Sequence, residues 1–207
     1  KEEPKKELTV GGFDDAYSFT EEYRFNFDLR PHDQQVLDRA IQSLFFMAGV
    51  SYYKAFPVEA IRIDQGKIDR KDADFFAKTY QRGLGEYYYI NKMNPRSEVP
   101  FIANTTDELA IHHNHGTGAV IGIGGGKDSL VSAELLRNRP NFATWSLGHR
   151  SQLEPLIKRI GMPHFWVERT LDPQIIGLSA KGALGGHIPI SAIFGCVGSI
   201  VVILSGH

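Results

Sequence analysis

Residues 121–136 read IGIGGGKDSLVSAELL. Glycines stand at 122, 124, 125 and 126, and Lys127, Asp128 and Ser129 follow at once. An apolar run at 120–123 precedes them and reads as a strand, while 127–137 has the residue types of a helix. A strand that ends in consecutive glycines and opens a helix brings bare backbone close to a ligand. Glycine supplies the tight turn and removes the side chains that would hold the ligand off. The helix start behind it offers unpaired N–H groups and the positive end of a dipole, so the expected ligand is an anion, above all a phosphate.

Spacing excludes two common phosphate loops. A Walker A loop ending at Gly126-Lys127 needs Gly at 121 and Ser or Thr at 128, where Ile121 and Asp128 stand. A dinucleotide G-x-G-x-x-G motif puts its last glycine on Lys127 or on Ser129. The pattern that fits is strand, [S/G]-G-G-x-D-S, helix, carried by Gly124, Gly125, Gly126, Lys127, Asp128 and Ser129. Ser129 adds a hydroxyl donor and Lys127 can neutralise charge. Asp128 would repel bare phosphate, so it makes most sense beside Mg²⁺ or holding the loop. This pattern resembles the PP-loop of the ATP pyrophosphatase superfamily, the adenine-nucleotide α-hydrolases, and the resemblance implies ATP as the ligand.

Strands and helices alternate after the loop: a strand at 142–147, a helix at 152–160, a strand at 165–169 and a long apolar helix from about 188. That rhythm predicts an α/β domain, a parallel sheet with helices on both faces. Before the loop the pattern is α+β. Residues 8–29 alternate around a Gly-Gly, as hairpin strands do, and 33–48 has helical spacing that Gly49 can close. SYYKAF reads as a strand, IRIDQGKID as a hairpin turning at Gln65-Gly66, and 71–92 as a helix broken near Gly83 and Gly85. The pattern stops around Asn94-Pro95 and Pro100. The division expected is an N-terminal region at 1–105 and a nucleotide-binding domain at 106–207.

With 207 residues, 42% hydrophobic and 23% charged, the chain can bury a core. A net charge of −1 argues against nucleic acid or an acidic membrane as partner. A single cysteine, Cys196, excludes a disulfide framework and a Cys-based zinc site and fits a reducing, cytoplasmic compartment. The start KEEPKKELTV has no apolar core and does not read as a signal peptide. The uncharged stretch 188–205, IPISAIFGCVGSIVVILS, just reaches membrane-spanning length. It contains a proline, two glycines and three serines and has no basic or aromatic flank, so we read it as a buried helix.

Other residues are weighed singly. His112, His113 and His115 in IHHNHGTG could ligate a metal, but no second cluster with ligand spacing appears, and a polar loop is the simpler reading. His149 in SLGHR ends a strand, where ligands of open α/β sheets sit; it and Ser146 could line an adenosine pocket, or His149 could be a solvated loop residue. His187 follows Gly-Gly and precedes a proline at a helix start, which makes it a candidate anion contact. Lys54 sits among tyrosines and could reach a phosphate or carboxylate. The tyrosine-rich stretches themselves read as core edge.

GVSYYKAFP, QRGLGEYYYIN, IGIGGGKDSLVSAELL and RTLDPQIIGLSAKGALGGHIPISAI occur in this order. Together they resemble the UDP-N-acetylmuramoyl-L-alanyl-L-glutamate epimerase family of bacterial cell-wall synthesis, a PP-loop branch, over roughly residues 10–205. The resemblance implies ATP and Mg²⁺, release of AMP and pyrophosphate, and conversion of the terminal L-Glu of a UDP-muramoyl dipeptide to D-Glu. With the loop reading, our own assignment gives Gly124, Gly125, Gly126, Asp128 and Ser129 to pyrophosphate and metal, Asp128 being the metal ligand, Lys127 and His187 to secondary phosphate contacts, and Ser146 to the adenosine pocket. The acid and base are to be sought among His149, Lys181, His187 and Tyr53. Family chains continue past an apolar helix of this kind, so the expectation is a chain truncated at its C-terminus. The rival readings are another PP-loop enzyme, such as an amide-forming ligase or a tRNA-modifying enzyme, a module that binds ATP without cleaving it, and a protein anchored by 188–205. Near-neutral charge and the lack of further cysteines oppose the tRNA enzyme.

Overall fold

The computed structural model describes residues 7–11, 16–30, 32–107 and 118–207. His112, His113 and His115 lie outside the described residues. The elements are, in order, β1 (Glu7–Gly11), β2 (Ala16–Thr20), β3 (Glu22–Asn26), α1 (Gln34–Ala48), α2 (Val50–Tyr53), α3 (Arg70–Gly83), α4 (Gly85–Ile90), β4 (Ala119–Gly122), α5 (Lys127–Leu136), β5 (Phe142–Leu147), α6 (Arg150–Ile160), β6 (His164–Thr170), α7 (Gln174–Gly177), a 3₁₀ turn (Leu178–Lys181) and α8 (Ile190–Ser205). They sort into two compact units. One falls within Lys1–Glu21, Leu44–Ala110 and Leu171–Ile193, the other within Glu22–Ser43, Ile111–Thr170 and Phe194–His207.

The second unit holds a four-stranded sheet in the order β3-β6-β5-β4. Strands β4, β5 and β6 run parallel, and β3 pairs antiparallel with β6, Phe25 opposite Val167. The sheet is therefore mixed rather than wholly parallel, and the class is α/β. The third strand of the N-terminal region closes the edge here, because its alternation leaves one apolar face to bury. Buried β5 explains its unbroken FATWSL run. On one face, Ile123, Ala133, Phe142, Leu153, Ile157 and Ile160 form a core under α5 and α6. On the other, Trp145 packs edge-on to Phe194 of α8, and a Cβ on Gly198 would come within 3.2 Å of its ring. Helix α8 buries Val197, Ile200 and Val201. Among the described residues no helix is long and apolar enough to cross a membrane.

The first unit contains the β1–β2 hairpin and an aromatic core. Phe19 stacks on Tyr52 at 4.7 Å, Phe46 meets Phe76 edge-on at 5.3 Å, and Tyr80 meets Phe101 at 5.0 Å. The Tyr80 hydroxyl donates to the Phe46 carbonyl at 2.6 Å, which lets a phenol sit in the interior. Asp69 caps α3 by accepting from the Asp72 N–H at 2.9 Å.

Two local expectations are corrected. SYYKAF is not a strand: Val50–Tyr53 form a helical turn whose Tyr52 and Tyr53 N–H groups donate to the Gly49 carbonyl. Gly49 itself stays right-handed, at φ −51°, so it continues the chain into α2 instead of stopping it. Burial of all four residues overrides the strand preference of the aromatics. Nor does IRIDQGKID form a hairpin. Ile61 bridges Phe101, and the Asn104 carboxamide takes the place of a partner strand, accepting from Ile68 N–H and donating to the carbonyls of Ile63 and Gly66. The bend does fall at Gly66, which has φ +93°.

Candidate functional site

The glycine loop is shaped by the strand before it. Ile123 is buried; its N–H donates to the Trp145 carbonyl at 2.7 Å, and its carbonyl accepts the Ser146 hydroxyl at 2.7 Å. The chain is thus pinned to β5 on both sides of one residue, and Gly124–Gly126 then lift into solvent. Gly125 has φ +85°, a conformation that favours glycine, and a Cβ there would stand 3.3 Å from Leu153. Among the described residues a Cβ at Gly124 or Gly126 would meet nothing within 4 Å, so no packing contact of those residues requires the two glycines.

Gly126 caps α5 in an extended conformation and, having no side chain, supplies no side-chain cap. The Ser129 hydroxyl turns back to the Gly126 carbonyl at 2.8 Å, while Lys127 and Asp128 are exposed. The positive end of α5 thus has no side-chain cap from its N-cap residue and opens beside exposed backbone. His149 caps α6 at φ +52°, exposed, with its carbonyl accepting from Gln152 and Leu153 at 3.0 Å. The loop, Ser146 and the start of α6 thus gather at the carboxyl ends of β4 and β5. Among the described residues no group of three or more His, Cys, Asp or Glu could hold a metal by itself. Asp128 offers one exposed carboxylate beside the glycine loop, a donor of the type Mg²⁺ takes when phosphates and water complete its shell.

Lys181 and His187 belong to the other unit. The Lys181 ammonium lies 5.2 Å from the centre of the Tyr17 ring, a cation–π contact. His187 stands on a loop in which three successive residues are fastened. Asn91 donates to the Gly185 carbonyl at 2.8 Å, Lys54 donates to the Gly186 carbonyl at 2.9 Å, and the His187 N–H donates to Glu86 at 2.6 Å. The same Glu86 oxygen lies 3.1 Å from His187 Nδ1. Gly186 has φ +146°, and a Cβ on it would stand 2.9 Å from the Tyr87 backbone, so nothing larger fits. GVSYYK, GLGEYYYIN and GGHIP, far apart in sequence, therefore meet in one place.

Behind this loop the tyrosines are core. Tyr87 and Tyr88 are 0% and 2% exposed, and neither hydroxyl has a partner among the described residues. Burial raises both phenols above their ordinary range, and burial with the neighbouring Tyr88 takes Tyr53 up to about 12. All three stay neutral and protonated at physiological pH. Glu86 is the residue of this cluster that the sequence reading did not single out. Its signal was a lone acid in an otherwise apolar and aromatic run.

The MurL N-terminal domain family model matches residues 6–207. Three relatives carry the name UDP-N-acetyl-alpha-D-muramoyl-L-alanyl-L-glutamate epimerase. That of Xanthomonas oryzae pv. oryzae is 34% identical over 82% of this chain and 38% of its own length. Those of Salinispora tropica and a Micromonospora strain are 31% and 30% identical over 85% and 84% of the chain, and 39% and 40% of their own lengths. The chain thus spans about two fifths of these relatives. No solved structure matches it. Family match and relatives agree with the motif segments, and the chain belongs to the MurL N-terminal domain family.

Proposed function

We propose that this protein acts in an ATP-dependent epimerase that turns the terminal L-Glu of UDP-MurNAc-L-Ala-L-Glu into D-Glu for peptidoglycan synthesis, in the cytoplasm. The carrying observation is the glycine loop, whose Gly124 and Gly126 meet no packing constraint among the described residues and whose helix start has no side-chain cap from Gly126, in a chain of this family. The relatives' names support the substrate.

The chemistry explains the need for ATP. Removing the α-hydrogen of a free carboxylate would put a second negative charge on one small group. Joining the carboxylate to AMP removes the first charge: the carboxylate oxygen attacks the α-phosphorus, and pyrophosphate leaves. In this reading the Gly124–Gly126 N–H groups and the start of α5 hold the departing phosphates, Ser129 adds its hydroxyl by turning away from the Gly126 carbonyl, and Ser146 fixes the strand end beneath them. Lys127 neutralises charge, and Asp128 holds Mg²⁺. Bound Mg²⁺ supplies further charge neutralisation at the phosphates. A base takes the α-proton of the acyl adenylate, an acid returns a proton to the other face, and water then cleaves the adenylate; His149, at the start of α6, is the candidate within the unit that holds the loop.

The test is to incubate the natural full-length protein with Mg-ATP and UDP-MurNAc-L-Ala-L-Glu, with the L-Ala compound lacking Glu as control. Pyrophosphate, AMP and D-Glu should form only with the dipeptide. Asp128→Ala should remove pyrophosphate release by a factor on the order of 100 or more while circular dichroism stays unchanged. Full release by Asp128→Ala would overturn the loop assignment, and pyrophosphate without D-Glu would point to a ligase of the same superfamily.

A further inference from the structure

Resting on the nucleotide reading of the glycine loop, we propose that Arg150 is a further contact for that nucleotide and takes its α-phosphate. Arg150 is exposed and opens α6, in the same unit as the loop. Leu153, one turn on and so on the same side of that helix, reaches to 3.3 Å from the Cβ position of Gly125. The loop therefore lies against the first turn of α6, where Arg150 stands. The guanidinium is held in place: its central carbon lies 5.3 Å from the centre of the Trp166 ring, a cation–π contact. Among the described residues no carboxylate pairs with it.

Trp166 of β6 stands opposite Ser146 of β5, whose hydroxyl donates to the Ile123 carbonyl at 2.7 Å. Ile123, Ser146 and Trp166 thus form a row across the three parallel strands, at the level from which the loop lifts. Neighbouring strands lie about 4.8 Å apart, so the row is about 10 Å long. The loop stands at one end of it and Arg150 at the other. His164, 4.3 Å from the same Trp166 ring, has its pKa pushed down to about 4 by burial and then by Arg150, so at neutral pH Arg150 carries the positive charge at this ring. A guanidinium presents a planar fork of donors that matches the oxygens of a phosphate. In the nucleotide reading the loop holds the two outer phosphates, and Ser146 lies on the adenosine side. The α-phosphate falls between them, over the row, and Arg150 meets it from the β6 side. There the guanidinium offsets charge on the phosphorus under attack, and it keeps its hold on the AMP group after pyrophosphate has left.

The experiment titrates the natural full-length protein and its Arg150→Gln and Arg150→Lys variants with AMP, inorganic pyrophosphate and adenosine, each in Mg²⁺, by calorimetry. Glutamine keeps the stem that covers Trp166 and removes the charge; lysine keeps the charge and removes the fork. Circular dichroism checks that both variants melt as the parent does. Arg150→Gln should weaken AMP about 10- to 100-fold and leave pyrophosphate and adenosine within about twofold, with Arg150→Lys between Arg150→Gln and the parent. AMP bound by Arg150→Gln as tightly as by the parent overturns the proposal. So does an equal loss on pyrophosphate, which puts Arg150 at the loop itself, or on adenosine, which makes it a partner of the base or a structural residue. A parent that binds neither pyrophosphate nor AMP overturns the nucleotide reading and this role with it, whereas normal binding of all three probes by parent and variants overturns this role alone.

Discussion

His164 should make the stability of the sheet-bearing unit fall in mild acid. Its ring packs 4.3 Å from Trp166, its Nδ1 lies 2.8 Å from the Thr144 hydroxyl, and its buried Nε2 has no partner among the described residues. Charging the ring requires both nitrogens to donate, and Nε2 has nothing to donate to. Burial, and then the positive charge of Arg150, lowers its pKa from 6.5 to about 4. The unfolded chain takes up the proton near 6.5 and the folded chain only near 4. The stabilisation is therefore complete above pH 6.5, is lost as pH falls from 6.5 toward 4, and changes no further below that. A gap of that size corresponds to on the order of 3 kcal/mol. Both tryptophans of the chain, Trp145 and Trp166, lie in the same unit as His164, so tryptophan fluorescence in urea reads that unit. The pH 7 to pH 4 loss of unfolding free energy should be smaller in His164→Leu than in the parent by about that amount. An identical loss in both proteins, or a folded-state His164 that titrates near 6.5 by NMR, would refute the reasoning.

Gly186→Ala should destabilise the first unit by about 2–4 kcal/mol, seen as a lower melting temperature by circular dichroism, because a Cβ meets Tyr87 backbone at a φ of +146°. Gly124→Ala should leave melting unchanged, since its Cβ meets nothing within 4 Å among the described residues, yet cut pyrophosphate release at least about tenfold by blocking phosphate approach. Cys196, whose thiol lies 3.8 Å from the Ser43 carbonyl and is pushed up to about 11 by burial, should react with a thiol reagent at pH 8 only slowly in the folded chain and fast in urea.

Where neighbouring residues decide conformation, the sequence was readable. The alternation of IGI, KDSLVSAELL, FATWSL and HFWVERT fixed three parallel strands and their helices, because hydrophobic period and glycine conformation act within one element. The family was likewise readable from four segments, and Gly125 alone of its three-glycine run has a φ that the turn itself demands. SYYKAF and IRIDQGKID misled, because their partners are distant. Tyr52 is buried against Phe19, and the carbonyls of Ile63 and Gly66 are satisfied by Asn104, contacts that no local pattern announces. Only the tertiary structure joined β3 to β6, spent the Ser146 hydroxyl on Ile123, and set Glu86 against His187 across 101 residues of chain. Such pairings depend on which surfaces remain unsatisfied once each element has formed, and that is a property of the assembled chain rather than of any window along it.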